Sequence, residues 1–573
     1  MKKSLLLLTF ITVFIGCRKD NESNPSAAGG IKITAVSPLQ ATLGDTITIT
    51  GTGFPEHPIV KFRETDAFVI SATSTEIKTI LPKTDLGVLR ILVRSETKAS
   101  NYFNITAVSN VKEANINGTI YQVDTTSYYM AGPGTKMIAL SLAHSQSPLK
   151  VFILEMDRQN QYLDFKPVLS YDSVIQRESI VAMSSRKSKT GESYFAGING
   201  DFFDIAAGSS QIGRTYQGTI IDEIVGTMPT NSTENYIIFD DTKKPVIRKL
   251  AYSGRVITPA SSSFVIHDVN NVRRKDSLIL YNHLNGKFTR ADATGSEVTV
   301  ELASGAAWGL NKDVQVKVTQ TNFDAGNSAI PVGGAVLSGH GAAGIFLKTL
   351  SVGDALTIKM DLIPTQGTAL NIRQLIGAHN HILNNNNFTN DNWNSREPRT
   401  AMGYSADGNK IYYVVVDGRS TVSVGVTTHQ LSDILKLAGA AHGVNLDGGG
   451  SSSMFIKDIG LINMPSDGSV RAVGNAFFTV SSAPDNSQVT AIAADKYKLY
   501  LTKGQSVPLK VIGYNQYGTV VNGNLNGATI SCPPALGTIS GNTFTAASPA
   551  APVSGRIEIT YNNLKTSIKV LVQ

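Results

Sequence analysis

Short runs of alternating apolar and polar residues, closed at short intervals by turn residues, dominate this chain. The segment ITAVSPLQATLGDTITITGTGF at 33–54 is typical, because threonine alternates with isoleucine before the turn sequence Gly-Thr-Gly-Phe. Alternation of this kind indicates half-buried strands, and β-branched residues suit strands better than helices. The sequence therefore predicts a protein built mostly of short strands.

The length of the chain predicts several domains. At 573 residues with 42% apolar content, the chain is too long for one hydrophobic core. We predict a multidomain protein in which β-sandwich (Ig-like) modules flank a central mixed α+β catalytic domain. The predicted boundaries are 31–108 for the first module, 112–482 for the centre and 488–573 for the last module.

The N-terminus, MKKSLLLLTFITVFIGC, has two lysines, a short apolar run and a small residue before Cys17. This pattern is typical of a bacterial secretion signal, and the apolar run is too short for a permanent membrane helix. The Gly16-Cys17 ending resembles a lipobox, which predicts a lipoprotein signal peptide at 1–16 and a lipidated Cys17. Ordinary signal cleavage near this point is the alternative.

The residues after Cys17 are polar and small, which predicts a disordered tether over 17–30. The segment CRKDNE resembles the surface-export signal of some Gram-negative lipoproteins. We therefore expect a protein that is lipid-anchored in the bacterial cell envelope, in the outer membrane and exposed at the surface.

The net charge argues against a nucleic-acid-binding protein, and the cysteine content argues against a protein stabilised by disulfides. Removal of residues 1–16 would take away Lys2 and Lys3, so the net charge would fall from +7 to +5, too mild an excess to predict a nucleic-acid partner. The second cysteine is Cys532, so an acylated Cys17 would leave no intrachain disulfide. The expected partners are a glycan or sugar-phosphodiester substrate and a membrane bound through the lipid anchor.

The two flanking regions resemble known β modules. The Ser37-Pro38 pair and the GDTITITGTGF stretch that follows it resemble the IPT/TIG immunoglobulin-like module, and residues 488–573 resemble bacterial Ig-like modules. Neither region contains paired carboxylates or a histidine cluster. We therefore expect these modules to serve as spacers or in adhesion, and catalysis to reside within 112–482.

A β-α-β pattern lies in the centre of the chain. NKIYYVVVD ends a continuous apolar run at Asp417, and a helical pattern with a Thr427–Gln430 capping box leads to Gly443, which can end the helix. VNLD then forms a second strand that ends at Asp447. If the two strands are parallel, Asp417 and Asp447 meet at one sheet edge, where ligand sites gather in such units. A further helix is predicted in 175–189.

The stretch GVNLDGGGSSSMFI at 443–456 combines three glycines with three serines. A linker seldom lies between two apolar strand segments, so a tight turn is the better interpretation, with amides and hydroxyls that can face an anion. A Walker-type phosphate loop is excluded because no Gly-Lys-Ser/Thr follows the glycines.

Five segments of the central region together resemble the phosphodiester glycosidase family. They are INGDFF (198–203), EPRTAMGY (397–404), VVVDGRS (414–420), NLDGGGSSSMF (445–455) and MPSDGSVRAVGNAFF (464–478). The resemblance spans roughly 115–480. The residues that it places in the site are Asn199, Asp201, Phe202, Arg399, Thr400, Asp417, Arg419, Asn445, Asp447, Gly448, Gly449 and Ser451, with Arg471 and Asn475 as looser matches.

The resemblance implies hydrolysis of a sugar-1-phosphodiester, an α-N-acetylglucosamine-1-phosphodiester among the candidates. A phosphate monoester leaves with little proton donation, because its second pKa lies near 6. Such an enzyme chiefly needs cations for the phosphate and a carboxylate near the anomeric carbon. Arginine suits bidentate phosphate binding, which favours Arg399 and Arg419. Asp201, Asp417 and Asp447 are the carboxylate candidates, and Asn199 and Asn445 would bind sugar hydroxyls or orient those carboxylates.

Metal sites are the first set of alternatives. His379 and His381 would point to one face of a strand, but two histidines are too few for a catalytic zinc. The segment around His379 also departs from the family pattern, which leaves a catalytic use of His379 open. The sequence predicts no cofactor, and it leaves a divalent cation on the Asp and Asn oxygens as an open alternative.

Two other functions fit parts of the sequence. A surface adhesin could carry a degenerate carbohydrate-binding core, although the Asp and Arg set that such a core would lose is present here. A phosphodiesterase could instead cleave the P–O bond. The products distinguish the three, because the glycosidase releases reducing sugar and phosphomonoester, the phosphodiesterase releases sugar-1-phosphate, and the adhesin releases nothing.

Overall fold

The computed structural model describes residues 30–42, 45–82, 84, 87–108, 113–229, 234–389, 393–549 and 553–572. Cys17, the predicted signal peptide and the predicted tether up to residue 29 lie outside these described residues. Strands dominate the described part of the chain, as the alternation predicts. Its α-helices are Ile180–Lys187, Ala342–Leu347 and Thr428–Ala438, and its 3₁₀ turns are Ser170–Asp172, His283–Asn285 and Gly449–Ser451.

Two sheets form the N-terminal region and share one core. In order of pairing, the first sheet contains Lys32–Ser37, Thr46–Thr52, Glu76–Ile80 and Val69–Ala72, and the second contains Gln40–Thr42, Phe103–Val108, Gly87–Arg94, Ile59–Phe62 and Thr65–Ala67. The inward positions of both sheets, such as Ile47, Ile49 and Ile91, are fully buried. The alternation read from the sequence thus corresponds to a packed pair of sheets.

A nine-stranded sheet is the centre of the molecule. Its strands pair in the order Glu113–Ile116, Thr119–Gly132, Thr135–Ala143, Leu149–Asp157, Lys410–Val416, Arg399–Tyr404, His442–Asn445, Asn380–Asn384 and Asn387–Phe388. The strand Arg399–Tyr404 runs antiparallel to both of its neighbours. Lys410–Val416 and His442–Asn445 are therefore parallel to each other, as the β-α-β pattern predicts, with one strand between them.

Three further sheets complete the central region. The first pairs Leu163–Leu169, Asn475–Ser481, Ser193–Asn199, Met454–Ile456 and Gly460–Leu461, and is called the site sheet below. The second pairs Ile224–Thr227, Thr219–Ile221, Gln374–Ala378, Asn235–Phe239 and Pro245–Arg248. The third pairs Ser263–Val265, Leu250–Ile257, Ala355–Pro364, Asp313–Asn322, Ser296–Leu302, Ala335–Gly339, Leu278–Asn282 and Asp268–Val269.

The C-terminal region has three small sheets around one core. They pair Ala491–Ala494, Val511–Tyr514 and Val520–Asn522; then Lys498–Leu501, Leu564–Val572, Val553–Tyr561 and Thr529–Ser531; and finally Ser506–Pro508, Thr543–Ala546 and Gly537–Ser540. The Ig-like assignment of this region stays a prediction. The mixed α+β character of the centre is not confirmed, because its described helices have only 8, 6 and 11 residues and its sheets make up most of its structure.

The largest core crosses the predicted domain boundaries. It joins Tyr128 and Tyr129 of the nine-stranded sheet to Tyr514 and Val520 of the C-terminal region and to Ile80 of the N-terminal region. The two end regions also touch, since the Lys565 amide donates to Asp66 Oδ2 over 3.0 Å. The boundaries at 31–108, 112–482 and 488–573 stay predictions, and packing is continuous across them.

The helix between the two parallel strands follows its predicted start but not its predicted end. Thr427 and Gln430 form the expected capping box, and Leu431, Ile434 and Leu435 are buried against the sheet. The helix ends at Ala438 because Gly439 adopts a left-handed conformation, with φ of +108°. Gly443 lies inside the next strand and does not end the helix. The other predicted helix is shorter than 175–189, since it begins after the N-cap Ser179 and ends at Lys187.

No helix among the described residues is both long and apolar enough to cross a membrane.

Candidate active site

Strand order brings the predicted residues of the central motifs to one edge. Because Arg399–Tyr404 begins where its two neighbours end, Arg399 lies at the same sheet edge as Asp417 and Asp447. The end of the site-sheet strand Ser193–Asn199 approaches the same edge, since the Asp447 amide donates to the Gly200 carbonyl over 3.0 Å. The segments 199–201, 399–400, 417–419 and 445–453 are therefore neighbours.

Asn199 connects the two sheets at this edge. Its Nδ2 donates to the Asp447 carbonyl over 2.7 Å, and its Oδ1 accepts from Thr400 Oγ1 over 2.7 Å and from the Ser453 amide over 3.0 Å. The side chain is fully buried. These contacts make Asn199 and Thr400 positioning residues that hold Asp447 and its following turn against the strands.

The residues Asp447–Ser453 form a tight structure that we call the glycine turn. Gly449 adopts φ of +61°, and its amide donates to the Pro398 carbonyl over 2.8 Å. The amides of Gly448, Ser451 and Ser452 donate to Asp447 Oδ1, the Gly448 carbonyl and the Gly449 carbonyl. The linker interpretation is thus wrong, but these four amides are occupied within the protein and do not present the anion site expected from the sequence.

Arg399 and Arg419 have different environments. The Arg399 side chain is buried, and its guanidinium donates to the carbonyls of Val426 and Ser395 over 2.9 and 3.0 Å. The Arg419 side chain is 48% exposed beside the glycine turn, and its Nε pairs with Glu397 over 2.7 Å. The contacts of Arg399 give it a positioning role, whereas Arg419 remains accessible to a phosphate.

Arg471 also lies against the glycine turn. Its Nη1 donates to Ser451 Oγ over 3.3 Å, and its Nη2 pairs with Asp467 over 2.7 Å, with a third of the side chain exposed. Arg471 and Arg419 are thus both close to the turn, each with its own carboxylate partner. The sequence analysis missed both partners, Glu397 and Asp467, although each lies within a quoted motif.

Asp447 is almost buried at the start of the glycine turn. Burial raises the pKa of Asp447 to about 6, while hydrogen bonds from Ser451 and Gly448 and the charge of Arg471 act in the opposite direction. A carboxyl with this pKa changes charge near neutral pH, which is the property required of a general acid or base.

Asp201 is the second buried carboxyl of the site. Its amide donates to Asn475 Oδ1 over 2.8 Å, and its Oδ2 accepts from the Gln217 amide over 2.9 Å. Its Oδ1 has no hydrogen-bond partner among the described residues. Burial, together with the negative charge of Asp447, raises the pKa of Asp201 well above its usual range despite the amides of Gln217 and Phe202. Asp201 and Asp447 are thus two buried carboxyls with raised pKa values in neighbouring segments, and we call them the carboxyl pair.

Asp417 is separated from this pair by its own hydrogen bonds. Its carboxylate accepts from Asn463 Nδ2 over 3.0 Å and from the Met464 amide, and Asn463 in turn donates to the Ser452 carbonyl. Burial raises the pKa of Asp417. The arrangement favours a role for Asp417 in fixing the glycine turn. Asn463 is a residue that the sequence analysis missed.

Two buried amide side chains near the pair retain unused polar atoms. Asn445, two residues before Asp447, is fully buried, and neither its Oδ1 nor its Nδ2 has a partner in the described part of the chain. Gln217 donates from Nε2 to Glu234 over 2.9 Å, and its Oε1 is buried without a partner in that same part. Gln217 and Glu234 were missed, because no local pattern marks either of them.

Aromatic rings cover one side of the Asp201 segment. Phe202 lies 5.1 Å from the His379 ring and 5.6 Å from the Trp393 ring, and His379 and Trp393 lie 4.4 Å apart. His379 is thus next to the site as part of this cluster. Burial lowers the pKa of His381 to about 4. Among the described residues, no three His, Cys, Asp or Glu side chains are arranged to hold a metal ion.

The arginines Arg419 and Arg471, the carboxyl of Asp447 and the glycine turn lie in a part of the chain that matches a family model. Residues 304–480 match the phosphodiester glycosidase family model. Residues 32–107 match the IPT/TIG domain model. The chain therefore carries a phosphodiester glycosidase segment and an IPT/TIG domain. The glycosidase segment includes Arg399, Asp417, Arg419, Asp447 and Arg471, whereas Asn199 and Asp201 precede it.

Individual relatives are distant or cover little of the chain. The uncharacterized protein YomE of the SPbeta prophage in Bacillus subtilis is 36% identical over 94 residues, which is 16% of this chain and 14% of the length of that relative. A hypothetical protein from Synechocystis is 15% identical, with 79% of this chain and 80% of that chain covered and a TM-score of 0.47.

A named enzyme is among the solved structures that are similar to this chain. The catalytic domain of zebrafish N-acetylglucosamine-1-phosphodiester alpha-N-acetylglucosaminidase, auto-inhibited by its pro-peptide, is 12% identical. The comparison covers 62% of this chain and 87% of that chain, with a TM-score of 0.31.

Proposed function

We propose that this protein hydrolyses the glycosidic bond of a sugar-1-phosphodiester and releases free sugar and a phosphomonoester. The observation that carries the proposal is the pair of buried carboxyls, Asp201 and Asp447, in neighbouring segments beside a turn that the accessible arginines Arg419 and Arg471 contact. The family match of residues 304–480 supports the same class of reaction. The α-linked N-acetylglucosamine diester is the first substrate to test.

The proposal gives the two carboxyls different roles. Asp447, with a pKa of about 6, is mostly ionised at pH 7 and is the carboxylate directed at the anomeric carbon. Burial raises the pKa of Asp201 well above its usual range, and the proposal assigns to Asp201 the role of proton donor to the leaving oxygen or to a sugar hydroxyl. The proposal thus gives Asp447 the role of the carboxylate and Asp201 the role of the acid.

Arg419 and Arg471 bind the phosphate. Arg419 already forms an ion pair with the Glu397 carboxylate, and Arg471 with that of Asp467. A phosphate group offers oxygen acceptors in a similar arrangement and carries more negative charge than a carboxylate. The leaving phosphate monoester needs little protonation, so charge stabilisation by the two arginines is the larger requirement. The rings of Phe202 and Trp393 provide an apolar wall for the sugar.

Product analysis tests the proposal directly. The full-length protein is incubated with α-N-acetylglucosamine 1-(methyl phosphate) and with the glucose, mannose and galactose analogues, and products are identified by phosphorus NMR and a reducing-sugar assay. Methyl phosphate with an equal amount of reducing sugar is the expected result, and Asp447→Asn should abolish it.

Two results would overturn the proposal. Release of sugar-1-phosphate and methanol would mean cleavage of the P–O bond. No turnover of any of the diesters by the wild-type protein, with a folded state verified by its melting curve, would favour a non-catalytic carbohydrate-binding protein.

We further propose that the protein is anchored in the bacterial envelope through acylated Cys17. The support is the sequence alone, in which a short apolar run ends at Gly16-Cys17 and a polar segment follows. In this arrangement the substrate is a glycan at the cell surface or in the surroundings of the cell.

A further inference from the structure

A cavity lies at the junction of the central and C-terminal regions. It has a volume of about 370 Å³ and is lined by residues from both sides of the junction. The central region contributes segments around 131–133, 188–195 and 457–458, and the C-terminal side contributes segments around 481–487 and 515–521. A volume of this size lies within the range of small-molecule sites.

The cavity and the candidate active site lie at opposite ends of the same strands. In the site sheet, Asn199 and Asn475 are at the active-site end of their strands, and Ser193 and Ser481 are at the cavity end. The strand Met454–Ile456, which pairs with the other side of Ser193–Asn199, likewise runs from the glycine turn to Lys457 in the cavity wall. Because a strand rises about 3.3 Å per residue, the two sites are roughly 20 Å apart. The cavity is thus a separate site.

The cavity wall is polar and electrically balanced. Its charged residues are two lysines and two aspartates, namely Lys189, Lys457, Asp458 and Asp485. Hydroxyl groups are the commonest polar groups, supplied by Ser188, Thr190, Ser193, Ser481, Ser487 and Thr519. A wall of this composition attracts neither an anion nor a cation strongly, and it offers many groups that can both donate and accept hydrogen bonds.

Part of this polar wall is held in a fixed position. Asn515 donates to the Asn486 carbonyl over 2.9 Å and accepts from the Thr519 amide over 3.1 Å, which holds two wall segments together. Thr519 Oγ1 is buried and has no hydrogen-bond partner among the residues that the structure describes. Phe195 and Val520 add an apolar face beside these groups.

We propose that this junction cavity binds a neutral oligosaccharide. Sugar hydroxyls both donate and accept hydrogen bonds, so they complement the serine, threonine and asparagine groups of the wall. The apolar face formed by Phe195 and Val520 complements the C–H face of a sugar ring. The site would hold a glycan by a segment away from the bond that the protein cleaves, and its binding does not depend on the proposed catalytic function.

The test measures binding of four neutral trisaccharides to the full-length protein by isothermal titration calorimetry. Maltotriose, cellotriose, mannotriose and chitotriose are the probes, with inorganic phosphate as a charged comparison. At least one trisaccharide should bind with a dissociation constant of about 1 mM or below. Ser487→Trp and Thr190→Trp, which fill the cavity from opposite walls with exposed residues, should each weaken that binding at least about tenfold.

Matched variants locate the binding. Gln488→Trp adds the same side chain at an exposed position next to the cavity segment but outside its wall, and Asp447→Asn alters the active site; both should bind the trisaccharide as the wild type does. Failure of all four trisaccharides to bind at about 10 mM overturns the proposal. Binding that is lost in Asp447→Asn and kept in both cavity variants also overturns it, because the sugar then occupies the active site.

Discussion

Arg399 and Arg419 follow each other closely in the family motifs, yet their guanidinium groups have opposite environments. The Arg399 side chain is buried and donates to two backbone carbonyls, while Arg419 is half exposed beside the glycine turn. Burial and hydrogen-bond partners, and not residue type, therefore separate the buried Arg399 from Arg419, for which we propose phosphate binding. Asp417 and Asp447 are both buried and hydrogen-bonded, but Asp417 accepts from Asn463 and Met464, whereas Asp447 accepts from Gly448 within the glycine turn.

Arg419→Lys should lower kcat/KM roughly ten- to a hundredfold on a sugar-1-phosphodiester, because one charge-assisted phosphate contact contributes about 1.5–3 kcal/mol. On an uncharged aryl glycoside of the same sugar the loss should be much smaller. Arg399→Lys should instead lower the melting temperature and reduce activity equally on both substrates. Steady-state kinetics on the two substrates, with the exposed Arg255→Lys as control, measure the contrast. Equal losses for Arg419→Lys on both substrates would place the phosphate elsewhere.

Asp447 should make the protein less stable as pH rises. Its folded-state pKa of about 6 exceeds the ordinary value of 3.8, so the folded state holds the proton more tightly and the free energy of unfolding falls between pH 4 and pH 6. The shift corresponds to at most about 3 kcal/mol. Relative to wild type, Asp447→Asn should therefore gain up to that amount between pH 4 and pH 8, whereas wild-type kcat/KM should rise over the same range.

Melting curves of wild type and Asp447→Asn at pH 4 and pH 8 test this expectation. Any hydrogen bond that the asparagine fails to make lowers the stability of the variant at both pH values, so its contribution cancels when the two pH values are compared. Asp485→Asn, which changes an exposed carboxylate, serves as the control and should show no such difference. A constant difference between wild type and Asp447→Asn at both pH values would contradict a raised pKa.

Among the elements, the glycine turn depends on the close approach of side chains to its backbone. A Cβ at Gly450 would lie 2.1 Å from Arg471 Nη2 and 2.1 Å from Asp467 Oδ1. The third glycine thus leaves room for the Arg471–Asp467 pair, whereas Gly449 is required for its left-handed conformation. The short turn therefore combines a conformational requirement with a steric one.

Gly450→Ala should reduce kcat/KM about tenfold or more with little change in melting temperature, because the new methyl group displaces the ends of two flexible side chains. Gly460→Ala is the matched control. Its Cβ would have no atom within 4 Å, so it should cost stability through its positive φ and leave kcat/KM unchanged. Full activity in Gly450→Ala would mean that the position of Arg471 does not matter for catalysis.

At the scale of the whole molecule, side-chain packing connects the three regions that were predicted from the sequence as separate domains. Tyr128 and Tyr129 of the central sheet share a core with Ile512, Tyr514 and Val520 of the C-terminal region. The contact of Lys565 with Asp66 and an ion pair between Lys498 and Asp124 add links among the three regions. The flanking modules thus cover apolar surface of the central region.

A protein of residues 112–482 should be less stable than the same region within the full chain. Each large apolar side chain that loses its cover costs about 1.5–3 kcal/mol, and several lie at this boundary. Residues 112–573 should melt at a higher temperature than residues 112–482, with activity on small substrates retained by the folded fraction of both. Identical melting temperatures would show that the centre folds independently of the C-terminal region.

Cys17→Ala should release the protein from membrane fractions, because the proposed anchor is the acyl chain on this cysteine. Fractionation of cells and immunoblotting measure the distribution, with Cys532→Ala as the matched cysteine control. A Cys17→Ala protein that still sediments with membranes after washing at high salt would contradict the lipid-anchor assignment.

The sequence alone determined the features that depend on neighbours along the chain. Alternation predicted the strands, Thr427 and Gln430 predicted the helix start, and the parallel relation of two strands placed Asp417 and Asp447 at one edge. Tertiary structure decided the contacts between distant segments, such as Asp201 with Gln217 and Asn475, and the burial of Arg399. These contacts depend on how sheets pack face to face, which the periodicity of a single strand does not encode. The charge state and accessibility of each site residue follow from that packing.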